Sequence, residues 1–141
     1  MPENNMSTIG QIHALLANKR YSVTELSDSV LRVEEMESKI SLRAVLEGDI
    51  LFLSLVCLLT SPASLTSAVL HKMLAADNGI STSHFQLADT GDGNIAVTLN
   101  NFCKLQDLGP DDEDDILSCV SFLLADVLHA KELLEQDLHS A

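Results

Sequence analysis

The side chains that could do chemistry are histidines, cysteines and carboxylates, so their spacing is the first thing to read. Asp89-Thr90-Gly91-Asp92-Gly93-Asn94 offers carboxylate and amide oxygens in a short run, the chemistry of a calcium loop. A calcium loop of the EF-hand type needs a glutamate at its twelfth position, and counting from Asp89 that position holds Asn100. An alternating apolar segment follows, so the run reads as a hairpin turn. The histidines are His13, His71, His84, His129 and His139, and none stands in a zinc-binding spacing with another His, Cys or acid. His129 shares a helix face with Glu132 and Glu135, the pattern of a surface ion pair. Cys57, Cys103 and Cys119 form no Cys-x-x-Cys pair and lie among apolar residues. Burial of that kind raises a thiol pKa and blunts its reactivity, so reduced core thiols are expected. No Gly-x-Ser-x-Gly elbow and no glycine-rich phosphate loop occurs. The sequence therefore predicts no catalytic residue, no metal and no cofactor.

The elements that would position these groups follow from periodicity. Ile9, Ile12, Leu15 and Leu16 recur at helical spacing and predict a helix over 7–19, capped by Ser7 or Thr8. Tyr21 and Val23 suggest a short, weak extended piece. Leu31 and Val33 alternate with Arg32 and Glu34, and Ile40, Leu42, Ala44 and Leu46 alternate with Lys39, Ser41 and Arg43. Alternation of period two predicts half-buried strands. Glu47-Gly48-Asp49 supplies a hairpin turn, because glycine reaches positive φ without a Cβ penalty.

The return strand of that hairpin, Ile50–Thr60, is apolar at nearly every position. Its apolar block is far shorter than the roughly 20 residues a membrane-spanning helix needs. As a strand it has two apolar faces, Ile50, Phe52, Val56 and Leu58 against Leu51, Leu53, Leu55, Cys57 and Leu59. Both faces then need cover, one by helices and the other by a subunit or partner. Ser61-Pro62 ends the run. A middle helix over 64–77 follows, with Asn78-Gly79 as its C-terminal cap. Its apolar residues exceed one stripe, and Leu65, Val69, Leu70 and Met73 are candidates for a protein-interaction surface. Phe85 and Leu87, then Ile95, Val97 and Leu99, predict a second hairpin. A long helix runs from about residue 111 to 138, lined by Ile116, Val120, Leu123, Leu124, Val127, Leu128, Leu134 and Leu138. Five acids at 111–115 open it, where the positive end of the helix dipole favours them.

The fold class is thus α+β: a helix, three antiparallel strands, a helix, a hairpin and a long C-terminal helix, giving a curved antiparallel sheet of about five strands with helices packed on it. A length of 141 residues with 46% apolar content suits one domain over 7–141, with residues 1–6 as a disordered extension. MPENNMSTIG shows no basic region followed by an apolar one, so no secretory signal is expected. The formal charge of -13, from 8 basic and 21 acidic residues, repels phosphate backbones and disfavours nucleic acid as a partner. It suits a soluble protein, or one that meets a basic partner, while the reduced thiols suit a cytoplasmic one.

That order of elements resembles the class I type III secretion chaperones, of which the Tir chaperones are members. Three segments, MSTIGQIHALL, ISLRAVLEGDILFLSLVCLL and DDILSCVSFLLADVLHAKELL, are also similar to the YjfI-like group of small bacterial proteins of unknown function. The chaperone resemblance implies a homodimer that binds a protein partner without catalysis. The expectation is a small acidic cytosolic chaperone or adaptor, non-catalytic, that shields a partner segment. Two other readings stay open at this stage: an accessory protein of a bacterial envelope-stress system, and an enzyme with an unrecognised small-molecule pocket.

Overall fold

A computed structural model describes residues 8–80, 82–106 and 109–139, without the side chains of 110 and 136–139. The expected N-terminal extension, Ser7 as a cap, Leu138 in the helix stripe and His139 lie outside these. The elements are α1 (Ile9–Ala17), β1 (Tyr21–Glu25), β2 (Val30–Glu35), β3 (Ser41–Glu47), β4 (Ile50–Thr60), α2 (Ser67–Leu74), β5 (His84–Asp89), β6 (Ile95–Lys104) and α3 (Pro110–His139). The strands form one antiparallel sheet in the order β1-β2-β3-β4-β6-β5. The chain divides into two compact units, Met1–Ser54 with Asn101–Ser121 and Leu55–Asn100 with Phe122–Ala141.

In the first unit, Thr8 caps α1 in a reciprocal box. Its hydroxyl accepts from the Gln11 backbone N–H at 3.2 Å, and Gln11 Oε1 accepts from the Thr8 N–H at 2.8 Å. The helix packs on β1 and β2 and buries Ile9, Ile12 and Leu16. Tyr21–Glu25 is a full strand, paired from Tyr21↔Glu35 to Glu25↔Leu31, which raises the sheet from about five strands to six. Weak apolar alternation hid it, because it is an edge strand with only half-buried side chains. The β3–β4 hairpin turns at Gly48, whose φ is +63°, with register Glu47↔Ile50 to Arg43↔Ser54. Leu31, Val33, Leu42, Ala44, Leu51 and Leu53 are buried, as the period-two pattern requires. Ile116 and Val120 of α3 are buried in this same unit.

In the second unit, the middle helix is shorter than 64–77. A 3-10 turn at Pro62–Ser64 comes first, Leu65 at ψ +74° breaks the helical run, and Thr66 caps α2 by accepting from Val69 N–H at 3.3 Å. Ala75 at ψ +144° ends it. The β5–β6 hairpin pairs His84↔Asn100 through Asp89↔Ile95, and Asp89 Oδ1 accepts from Gly91 N–H at 2.9 Å to close its turn. On α3, Leu123, Leu124, Val127 and Leu134 are buried, but Leu128 is 58% exposed. At 3.6 residues per turn Leu128 lies about 120° round from the Ile116–Leu134 line, off the stripe, while Ala130 at about 40° is inside it. The alanine takes the buried place that the sequence pattern assigned to the leucine.

Gly48 has open space around the position of a Cβ, so its constraint is the backbone alone. Gly48→Val puts a β-branched residue in the left-handed region and lowers unfolding free energy by about 1–2 kcal/mol, whereas Gly48→Asn costs less. Urea unfolding of the two variants measures the difference; equal stability of both with the parent would show that the turn does not hold this geometry.

Candidate protein-interaction site

The first unit has one sheet face in the core and one in solvent. The register aligns the outward side chains in rows across the strands. Val30 pairs with Val45, and Val45 with Phe52. Phe52 meets Phe102 of β6 with ring centroids 6.2 Å apart at a tilt of 43°. Val30, Val45, Phe52 and Phe102 therefore form one apolar row over four neighbouring strands. Phe52 is 39% and Phe102 59% exposed, and the two valines are half-buried. With strands about 4.8 Å apart, the row runs roughly 14 Å perpendicular to the strand direction. The residues between its members along each strand point into the core, and Leu31, Ala44, Leu51 and Leu53 are nearly or fully inaccessible there. That buried side holds the backbone, and so the row, in place.

Two residues further along lies a second row. Thr24 pairs with Arg32, Arg32 with Arg43, and Arg43 with Ser54. Like charges directly opposite each other in a sheet destabilise it. Among the described residues neither guanidinium has a carboxylate within ion-pair distance. On the other side of the apolar row, Glu47 pairs with Ile50, and Lys104 lies 3.9 Å from Asp49.

The second unit holds the residues expected to form an interaction surface. Val69 and Met73 are buried in their own unit, so they serve its core; Leu65 and Leu70 are half-buried. The apolar surface of α2 is carried by Leu74, which is 76% exposed. On β4, Val56 is 53% exposed, while Leu55 is buried. In β6 the residues Ala96, Val97, Thr98 and Leu99 are buried on both sides of the strand.

The ionisable groups are placed as follows. His13 Nδ1 is 2.7 Å from Glu25 Oε2, a partly exposed ion pair between α1 and β1. His71, His84 and His129 are exposed, and His84 is 3.4 Å from Gln86 Nε2. Among the described residues no three His, Cys, Asp or Glu side chains gather as a metal site requires. The buried carboxylates are Asp112 and Asp126. Asp112 Oδ2 accepts from Gln106 N–H at 2.5 Å, and Asp112 N–H donates to Gly109 O at 3.0 Å, tying the loop onto the first turn of α3. One member of the acidic run that opens α3 is thus a buried loop anchor. Asp126 Oδ2 accepts from the hydroxyls of Thr82 at 2.7 Å and Ser83 at 2.8 Å, fixing the entry to β5. A concavity of about 490 Å³ is lined by Lys19, Arg20, Tyr21, Glu35, Met36 and Glu37. Burial and the neighbouring Glu35 push the Tyr21 phenol up. Its two bases and two acids give that lining no preferred sign of charge.

The thiols differ from one another. Burial pushes Cys57 up to about 12. In the first unit the Cys119 thiol donates to the Phe102 carbonyl at 3.7 Å and interacts with the neighbouring Cys103 thiol. The interaction between the two thiols raises Cys103 and lowers Cys119, whose desolvation and neighbour Asp115 act in the opposite sense. Cys119 therefore departs from the expectation that every thiol here is blunted. Its backbone carbonyl accepts from Asn101 Nδ2 at 3.0 Å, which holds β6 and α3 together at this point.

No family model matches the chain, and no curated protein matches its sequence. Among solved structures, the fold is similar to that of YbjN from E. coli, described as a proposed transcription regulator. The TM-score is 0.62 at 11% identity, over 94% of this chain and 93% of that one. At that identity the likeness establishes the fold alone. No helix among the described residues is long and apolar enough to cross a membrane.

Two measurements check these placements. Iodoacetamide at pH 8 labels Cys119 ahead of Cys57 and Cys103, and Cys103→Ala, which removes the thiol that stabilises the thiolate, shifts the labelling profile of Cys119 to higher pH. Peptide mapping by mass spectrometry reads both; labelling of Cys57 first would contradict the thiol assignment. Asp126→Ala leaves two hydroxyls without their acceptor and costs about 1–3 kcal/mol in chemical unfolding. The exposed Asp114→Ala stays within about 0.5 kcal/mol of the parent.

Proposed function

We propose that this chain is a non-catalytic protein-binding module, a small cytosolic chaperone or adaptor that shields an apolar segment of a partner. The observation that carries the reading is the apolar row Val30, Val45, Phe52 and Phe102, partly exposed, on strands whose opposite face buries Leu31, Ala44, Leu51 and Leu53. Apolar side chains aligned across four strands gain free energy when a partner removes them from water. Rigid support lowers the entropy lost on binding. The resemblance in order of elements to class I type III secretion chaperones supports the same reading, since those proteins hold partner segments without catalysis. The large negative charge would keep a complex soluble.

Dimerisation is the second part of the proposal, and α2 is its place. Leu74 is largely exposed beside half-buried Leu70. An exposed leucine at the end of a short helix fits a small isologous contact.

Affinity purification from native lysate with the parent returns a stoichiometric protein partner, and Phe52→Ser with Phe102→Ser loses it. Both phenylalanines are partly exposed, so the double variant keeps its fold at a cost of about 1–3 kcal/mol. A circular-dichroism melt confirms that it is folded. Sedimentation of Leu74→Asp shows a monomer where the parent is a dimer. A monomeric parent that captures no stoichiometric partner would sink the chaperone reading.

A further inference from the structure

We infer that the outward face of the first unit takes an acidic amphipathic helix: apolar side chains of the partner sit on the Val30–Val45–Phe52–Phe102 row, and its carboxylates sit on Arg32 and Arg43. The inference rests on the protein-binding reading above and adds the chemistry of the partner.

Geometry and charge each contribute to it. The apolar row runs across the strands over roughly 14 Å, and the arginine row lies parallel to it about 7 Å away along them. A helix rises 1.5 Å per residue, so about ten residues laid across the strands cover the row. On such a helix, apolar residues at i, i+3, i+4 and i+7 form one stripe, and the flank beside it is the right distance off to meet the second row. A β-strand added at a sheet edge would run along the strands and could not follow either row.

The charge argument is local. The chain carries 21 acids against 8 bases, yet Arg32 and Arg43 oppose each other directly, exposed, without a carboxylate partner among the described residues. Each guanidinium is a planar fork of N–H donors suited to bidentate carboxylate recognition, and the register brings two of them side by side. A Glu or Asp on the partner removes their mutual repulsion as it binds, which is a gain that no basic partner offers. A second copy of this chain is a poorer occupant. Stacked face to face, it presents to the arginines either the same two arginines or, across the apolar row, Glu47 and Asp49, with Lys104 3.9 Å from Asp49. The first repels, and the second leaves one carboxylate in excess for two guanidinia. Phosphate backbones would satisfy the arginines but are repelled by the remaining surface and leave the apolar row wet.

The test is a display library of 16-residue helix-forming peptides with randomised apolar and charged positions, sorted against the intact protein. The parent enriches peptides with an apolar stripe flanked by Glu or Asp. The Arg32→Glu, Arg43→Glu variant, shown folded by circular dichroism, inverts the preference to Lys and Arg. A winning acidic peptide measured by fluorescence anisotropy binds that variant about tenfold more weakly or worse, the scale of one lost charge pair. Higher salt weakens its binding to the parent. Basic peptides enriched on the parent, and lost with Phe52→Ser and Phe102→Ser, would overturn the acidic assignment and leave the binding reading standing. A dimer abolished by those phenylalanine substitutions would make the second copy the occupant. A fluorescein-labelled oligonucleotide released by the arginine reversal would make it nucleic acid. Each of these two results overturns the inference. Equal enrichment on the parent and on the phenylalanine variant overturns it and the binding reading together.

Discussion

A β-strand sends successive side chains to opposite faces, and β4 is apolar at almost every position. The helices of this fold can cover one face of such a strand. That limit organises the first unit. Leu51 and Leu53 go to the core with Leu31, Val33, Leu42 and Ala44, and Phe52 is left outward with Val45 and Phe102. The buried side fixes the register, because a slip of one residue would exchange the whole buried set for the exposed one. The exposed row is therefore a by-product of a register that the core enforces, and it is as rigid as the core behind it. The second unit resolves the same pressure otherwise, with β6 buried on both sides from Ala96 to Leu99.

Charge in this protein has a global and a local sense that disagree. The net charge of -13 governs solubility and long-range encounter. Within a few ångströms of the outward face, however, the near groups decide, since screening confines exposed charges to roughly 8 Å at physiological salt. There Arg32 and Arg43 stand opposite each other, with Glu34 two residues along the same face of β2, and the direct opposition of the arginines is a small standing cost in the free protein. A conclusion about partners drawn from the total charge alone points to a basic molecule. The register of β2 and β3 points to an acidic one at this face.

Several polar residues act as joints. Asp112 and Asp126 are both buried on α3, and each spends its carboxylate on a neighbouring loop. Asn101 and the neighbouring thiols of Cys103 and Cys119 tie β6 to the same helix. These groups look in the sequence like an acidic run, a helix-surface aspartate and scattered cysteines. Their partners are six to forty-four residues away, so spacing along the chain does not reveal them. Nothing in their geometry converges on a place where a reacting atom would sit.

The amino-acid sequence by itself determined the elements and most of their order. Period-two alternation in Ser41–Glu47, the Gly48 turn, a hydroxyl cap at Ser7 or Thr8 and the stripe of α3 each act through neighbours a few residues apart, and such local rules survive into the folded state. It also showed that β4 has one apolar face too many. Which residues form the exposed surface was decided only by tertiary structure. Four of the predicted interaction residues lie on or beside α2, yet Val69 and Met73 face inward, while Phe52 and Phe102 stand together on strands some fifty residues apart in the chain. Burial depends on what packs against a residue, and pairing across strands joins positions whose separation no local pattern encodes. Two arginines eleven residues apart become neighbours because a sheet register, held by the core on its far side, places them there.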